Sequence, residues 1–362
     1  MFAAVALVAA LLYAPSARSA EPATAQSAPT SQPASGQSAS SSASAREMSA
    51  DMDEAVSRGL SFLAKNQNGD GSIDGGAPTV ATTGLAVLAM LASGQAPDEG
   101  RLGVTVRTAV DFLLRQVPDD GYVGKVDGSG MRGQAIVTLA LAQASGVETD
   151  QTRLKRTRAA LGRLVDVIQR AQDVTKDTAN SGGWGIEPNS TDSDLSVTAW
   201  CVLGLRAAEN AGIAVDKIRA DRAAGFVMAC CQAGQGEFAS RPGADASASM
   251  TAAGVLALSL LDRAQSDAAT AGAPYLVDHP ATQTTDTPYD AMYMATIAAY
   301  RCGGATWSEL WSKTSTRLMA LHDKDGGWPA GTSSQNPGRV YATAMATLTL
   351  STPYRLLPAY QK

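Results

Sequence analysis

Acidic residues that stand just before apolar segments are the first candidates for chemistry in this chain. Asp192 and Asp194 directly precede one such segment, in the run Asp192-Ser193-Asp194-Leu195. Further acids in comparable places are Asp74, Asp127, Glu237, Asp245 and Asp290. Paired carboxylates can act as the general acid and base of glycoside hydrolysis. The same residues at helix N-termini accept backbone hydrogen bonds as caps, so the sequence leaves catalysis and capping both open.

Aromatic residues near the same positions suggest a binding surface. The candidate ligand-binding residues are Trp200, Tyr289, Tyr293, Asp290 and Tyr341. Tyr289 and Tyr293 are four residues apart and can share a helix face. With Asp286 and Asp290 they are the best candidates for a polar and aromatic pocket wall. The alternative is core packing in which each hydroxyl finds a partner.

Metal and cofactor chemistry has little support in the sequence. The chain has two histidines and four cysteines, and none of them has the spacing of metal ligands. Asn68, Asp70, Ser72 and Asp74 alternate like a calcium loop, but the loop's glycine and twelfth acidic residue are missing, so we interpret them as turn residues. We predict no metal and no cofactor. Four cysteines allow three disulfide pairings, and Cys201, inside an apolar segment, is expected to be a buried free thiol.

The elements that must position these residues form a repeat. An amphipathic segment leads into a Gln-, Gly- and Asp-rich loop, and an Ala/Leu-rich segment with almost no charge follows. We count six such helical hairpins. The predicted inner helices are Thr82–Ala92, Gln134–Ala144, Ser196–Ala208, Ser249–Leu261, Asp290–Tyr300 and Val340–Leu350. A helix that is apolar all round is buried on all sides. Stacked hairpins bury each other, so two concentric rings of helices are expected.

The length and net charge of the chain limit the classes of binding partner that the sequence favours. The 362 residues are 45% hydrophobic and 17% charged, with a net charge of −5, which favours one compact body and disfavours nucleic acid. Residues 1–20 resemble a secretory signal, because an apolar run is followed by small residues up to Ala20. The apolar run of some 13 residues is shorter than the ~20 that a spanning helix needs. An uncleaved anchor is the alternative. Residues 21–47 are rich in Ser, Ala, Pro and Gln and are expected to form a disordered tether. We therefore expect no stable membrane span and a periplasmic or extracellular location for the domain at 48–362.

The repeats resemble those of the α/α-toroid superfamily, which includes terpenoid cyclases and protein prenyltransferases. The closest similarity is to squalene–hopene cyclase repeats. It is carried by Gly183-Trp184-Gly185 followed by Ser196-Val197-Thr198-Ala199-Trp200, and more loosely by Gly326-Gly327-Trp328 with Tyr341-Ala342-Thr343. The resemblance covers about residues 50 to 355 and implies an all-α, single-domain α/α toroid.

The resemblance also implies a chemistry for the aspartates. Class II cyclases protonate an alkene with an aspartate of an Asp-x-Asp-Asp motif, which makes Asp194 the implied acid and Asp192 its neighbour. The last aspartate of that motif is Leu195 here. We therefore predict an exported toroid protein that binds an apolar, isoprenoid-like molecule or a protein partner without the full acid motif. An active cyclase that uses Asp194 is one alternative, and a glycan hydrolase or lyase with carboxylates at one rim is another.

Overall fold

The computed structural model describes residues 48–75, 79–232, 236–283, 288–331, 338–354 and 356–357. The predicted signal segment, the tether and Asp286 lie outside these residues. Twelve α-helices alternate along the described chain, and no named strand occurs there. The odd-numbered helices are α1 (Ala50–Lys65), α3 (Gly103–Gln116), α5 (Gln151–Gln172), α7 (Lys217–Ala229), α9 (Asp267–Asp278) and α11 (Gly304–Leu321). The even-numbered helices are α2 (Thr79–Ala92), α4 (Gly130–Ser145), α6 (Leu195–Asn210), α8 (Ala248–Leu260), α10 (Tyr289–Cys302) and α12 (Arg339–Leu350).

The even-numbered helices form a closed inner ring. Each packs against the next, from α2 through α4, α6, α8 and α10 to α12, and α12 packs back on α2. The odd-numbered helices surround them, and each except α7 packs mainly on the inner helix before it. The all-α toroid with six hairpins is therefore confirmed, and each predicted inner helix falls within a few residues of the observed one.

Burial explains the composition of the inner ring. Every residue of α2 from Val80 to Ala92 is buried, and the other inner helices are nearly as enclosed. Outer helices instead bury one face, as α1 does with Val56, Leu60 and Leu63. A helix with neighbours on every side has no place for a hydrated charge, which is why the inner segments are almost free of charged residues.

One hydrogen bond recurs at the start of the inner helices. A backbone N–H in the preceding loop donates to a side-chain oxygen in the first turn of the helix, at 2.8–3.0 Å and with both groups buried. The accepting side chains, called the anchor residues below, are Thr83, Gln134, Thr198, Thr251 and Thr343. The bond places each loop in the same register on its helix, so positions counted from the anchor are structurally equivalent.

A glycine in the same loops docks each hairpin onto the next. Gly182 has φ +90°, and a Cβ added to it would lie 2.2 Å from the carbonyl oxygen of Arg222 in α7. The equivalent glycines are Gly71, Gly121, Gly236 and Gly326, which meet α3, α5, α9 and α1 respectively. Only glycine combines this backbone conformation with so close an approach. The loops were therefore recognisable in the sequence by their glycines.

The last hairpin joins the first through the same kinds of contact. Gly326 meets the backbone of Arg58 in α1, and Gly59 in α1 has no room for a Cβ beside Thr347 of α12. Ser93 and Ser351 share a hydrogen bond of 2.8 Å at the other end of the seam. The seam between α1 and α12 thus repeats the packing found between hairpins that are consecutive in the chain.

Cys201 lies within the inner helix α6. Cys201 is a free thiol and is buried, as expected. Burial raises the pKa of the Cys201 thiol, which keeps it protonated. None of the helices described here has the length and apolar character needed to cross a membrane. Nor do the described His, Cys, Asp and Glu side chains form a cluster able to hold a metal ion.

His322 offers a test of the repeat. Gln67 and Gln172 each donate from Nε2 to the carbonyl of their loop's docking glycine and to a carbonyl of the next outer helix. His322 takes the place of Gln67 in the last loop, where its ring centroid lies 4.5 Å from that of Trp328 with the planes tilted by 36°. Its Nε2 is buried without a hydrogen bond to any described residue. Burial, reinforced by the charge of Arg58, lowers the pKa of His322 below its ordinary 6.5.

We expect His322→Gln to reduce the loss of stability in mild acid. As the pH falls through 6.5 the unfolded chain takes up a proton at His322 before the folded chain does, so the free energy of unfolding decreases until the lower folded pKa is passed. Glutamine does not titrate in this range, and it can form the two hydrogen bonds that Gln67 and Gln172 donate in their loops. Urea unfolding at about pH 7 and about pH 5 measures the difference. An unchanged pH dependence in the variant would show that His322 is not the group responsible.

Candidate functional site

The inner helices begin at one end of the ring, and one residue per helix meets the axis there. Counted two residues before each anchor, these positions are Ala81, Arg132, Ser196, Ser249 and Tyr341, and α10 contributes Asp290. We call this set the mouth layer. It combines a cation, a carboxylate, a phenol and two hydroxyls above an apolar axis.

Arg132 bridges the mouth layer. Its Nη2 donates to Asp290 Oδ2 at 2.9 Å and to Tyr341 Oη at 3.1 Å. Its Cζ lies 5.8 Å from the ring centroid of Trp200, within the range of a cation–π contact. The described residues give Nη1 and Nε no partner, and neither atom is fully buried. The guanidinium is therefore fixed at one nitrogen and has N–H groups left for a ligand.

The electrostatics keep this arginine charged. Burial opposes its charge, but Tyr341, Asp290 and Asp194 offset that effect and raise the pKa of Arg132 above its ordinary value. Burial likewise raises the pKa of the Tyr341 phenol, which stays neutral. The side chains of Arg132 and Asp290 are 24% and 30% exposed, so the ion pair faces solvent at the mouth.

The layer below the mouth closes the axis. Trp200 and Tyr293 stack across the ring with their centroids 5.8 Å apart and an angle of 19° between their planes, and both are essentially inaccessible. One turn further, six fully buried aliphatic side chains occupy equivalent positions: Leu88, Leu139, Leu203, Leu256, Ile297 and Leu348. A ligand-sized cavity would leave free surface on its walls. These side chains have none, so none of the six borders an open cavity.

The long loop between α5 and α6 helps to place Arg132. The first turn of α4 has no side-chain cap, and the N–H of Met131 instead donates to the carbonyl of Ile186 at 2.7 Å. This loop is itself held by Lys176, whose ammonium donates to Gly183 O and Ser193 Oγ. Packing of a distant loop against the helix start therefore orients the residue that follows Met131.

The other candidates from the sequence lie around the same end. Asp194 is the N-cap of α6, where its Oδ1 accepts from the N–H groups of Ser196 and Val197 at 2.8 and 3.2 Å. Asp127 similarly caps α2 through Val80 and Ala81. Asp194 Oδ2 has no hydrogen bond to any described residue.

Two candidates do not meet Arg132. Asp192 is exposed on the loop before α6, near the Lys176 ammonium. The Tyr289 hydroxyl donates to the carbonyl of Pro329 at 2.8 Å, on the side of α10 toward the last hairpin. The structure thus gives Tyr289 and Tyr293 different partners. It brings Trp200, Asp290 and Tyr341 into contact with Arg132, a residue that the sequence analysis missed, and Tyr293 joins them by stacking on Trp200.

Arg132 could have been found from the repeat register. Sequence reasoning began the second inner helix at Gln134, two residues too late to include it. Aligning the helices by their anchor residues places Arg132 level with Tyr341. A charged residue in the first turn of an otherwise uncharged helix, level with a tyrosine, was the available signal.

Comparisons with known proteins support the fold. The α-1,6-mannanase of Salegentibacter sp. HEL1_6 matches with a TM-score of 0.62 and 8% identity, over 84% of this chain and 99% of that one. The matched structure is an inactive variant with two consecutive aspartates replaced, in complex with α-1,6-mannotriose. A type II terpene cyclase from Scytonema matches with a TM-score of 0.53 and 16% identity, over 85% and 99% of the two chains. A structure of the same cyclase holds its substrate geranylgeranyl dihydroxybenzoate. No family model and no curated protein matches the sequence. The chain thus has the α/α-toroid fold, which a hydrolase and a cyclase share.

Proposed function

We propose that the mouth layer of this protein binds a glycan by forming hydrogen bonds with the hydroxyl groups of the sugar. The observation that carries the proposal is Arg132, held by Asp290 and Tyr341 with unused N–H groups at a partly exposed surface. Sugar hydroxyls both donate and accept hydrogen bonds. The mouth layer offers both kinds of partner, since Arg132 donates, Asp290 accepts and the serine hydroxyls do either. The likeness in fold to a mannanase agrees with this ligand class.

An isoprenoid ligand has less support from the same geometry. A cyclising enzyme needs an apolar cavity that excludes water around the reacting chain. The aromatic residues that would line such a cavity, Trp200 and Tyr293, are buried against each other, and the aliphatic layer beneath them is closed. This arrangement favours a polar ligand at the mouth over an apolar ligand inside the ring.

Ligand-observed NMR on the purified domain tests the proposal. The probes are α-1,6-mannotriose and trisaccharides of β-1,4-linked glucose and N-acetylglucosamine, with geranylgeraniol as the apolar comparison. We expect saturation transfer to at least one trisaccharide and none to geranylgeraniol. Binding of geranylgeraniol without binding of any trisaccharide would contradict the proposal. Measuring new reducing ends in the same samples shows whether a bound glycan is cleaved.

A second candidate function is a cyclase that uses Asp194 as the acid and Asp192 as its neighbour. The favouring observation is that Asp194 has one oxygen without a described partner and is close enough to Arg132 to affect its pKa. Its other oxygen is committed to capping α6. Incubation with squalene, comparing wild type with Asp194→Asn, tests this function. Cyclic product from the wild type alone would establish it.

A further inference from the structure

The mouth layer is open on one side only. Around the ring its members follow the order Ala81, Arg132, Ser196, Ser249, Asp290 and Tyr341, on α2 to α12. Arg132 reaches from α4 across the axis to α10 and α12, so it divides the mouth into a side toward α2 and a side toward α6 and α8. Ala81 and Tyr341 are only 5% and 6% exposed, whereas Ser196 and Ser249 are both partly exposed.

We infer that the binding subsite lies on the α6 and α8 side of Arg132 and accepts the hydroxyls of one sugar unit. This inference rests on the proposed function and adds the location and the residues. Ser196, Ser249 and Asp194 line the subsite opposite the guanidinium. Serine is the smallest side chain that forms hydrogen bonds, so two serines in neighbouring helices leave space where equivalent positions hold an arginine or a tyrosine.

The polar groups of the subsite are available to a ligand. The Ser249 hydroxyl has no hydrogen bond to a described residue. Ser196 Oγ donates to Asp194 Oδ1, which leaves Asp194 Oδ2 as an acceptor. Together with the N–H groups of Arg132 that the described residues leave unused, these atoms offer donors and acceptors on facing sides of a small opening. A pair of neighbouring sugar hydroxyls has the matching combination of donors and acceptors.

Two substitutions of Ser249 distinguish the space that the serine leaves for a ligand from the hydrogen bonds that its hydroxyl forms. The probe is the trisaccharide that binds most tightly to the wild type, measured by calorimetric titration. We expect Ser249→Leu to lower the affinity at least ten-fold by filling the subsite, and Ser249→Ala to lower it no more than about three-fold. Ser312→Leu, at an exposed position of the outer helix α11, is the matched control and should bind as the wild type does. Unchanged affinity in Ser249→Leu would overturn the inference.

A labelling experiment tests the location without a ligand. Ser249→Cys and Ala81→Cys are treated with a maleimide, and the rates are read by peptide mass spectrometry so that the native cysteines do not interfere. We expect the cysteine at 249 to react at least ten-fold faster than the one at 81. Equal rates would overturn the inference even if a glycan binds. If the cysteine at 249 reacts faster but no trisaccharide binds, the α6 and α8 side of the mouth is accessible as inferred, and the proposal of a glycan ligand is refuted.

Discussion

Replacing Arg132 with methionine is expected to lower glycan affinity about 100-fold or more. Methionine fills a similar volume but has no N–H group. A hydrogen bond to a charged group contributes roughly 1.5–3 kcal/mol, and the loss of two such bonds corresponds to at least a 100-fold weaker complex. The fold should persist, because the Asp290 carboxylate left behind is 30% exposed and can be hydrated.

Calorimetric titration with the trisaccharide that binds the wild type measures this effect. Arg170→Met is the matched control, since Arg170 belongs to the outer helix α5 and forms an exposed ion pair with Asp166. It should bind as the wild type does. Circular dichroism of both variants shows whether either has unfolded. If the Arg132→Met variant is folded and binds with wild-type affinity, Arg132 does not contact the glycan and the proposed site is wrong.

Replacing Gly182 with alanine is expected to lower the free energy of unfolding by roughly 3–5 kcal/mol, among the largest effects of a single substitution. Two causes act together. The backbone of Gly182 has φ +90°, which costs a residue with a Cβ about 1–2 kcal/mol. The added methyl group would also lie 2.2 Å from the Arg222 carbonyl, so α7 must move away from the loop. The neighbouring hairpins would then lose packing.

Urea unfolding monitored by circular dichroism measures this change, and Gly162→Ala provides the control. Gly162 lies on the exposed face of α5 with open space where a Cβ would lie, so alanine there should stabilise the helix by about 0.5–1 kcal/mol. We therefore expect Gly182→Ala to lower the free energy of unfolding and Gly162→Ala to raise it. If Gly182→Ala unfolds within about 1 kcal/mol of the wild type, the docking contact does not hold the hairpins together.

The ring could be predicted from the sequence because its cause is local in the chain. An apolar helix without charge has to be enclosed, and a glycine in the preceding loop recurs with it, as Gly71 and Gly326 do. Each of these features depends on residues within one hairpin, so no knowledge of distant contacts was needed.

The mouth layer could be predicted only in part because it depends on contacts across the ring. Arg132 and Asp290 are 158 residues apart, and nothing in either hairpin alone shows that they meet. Trp200, Asp290 and Tyr341 were chosen for their side chains rather than for a known partner. Tyr289 and Tyr293 are neighbours on one helix, but their partners, the Pro329 carbonyl and the Trp200 ring, belong to two different hairpins that a local pattern does not identify. The register defined by the anchor hydrogen bonds supplies the missing information.

The seam between α1 and α12 has a consequence for how the protein comes apart. In an open array of repeats the terminal units have one neighbour each, so they fray first and unfolding spreads inward. Here every hairpin has two neighbours, and releasing any one of them breaks two interfaces. Partial unfolding therefore has no preferred starting point of low cost, and the ring is expected to melt in a single cooperative transition.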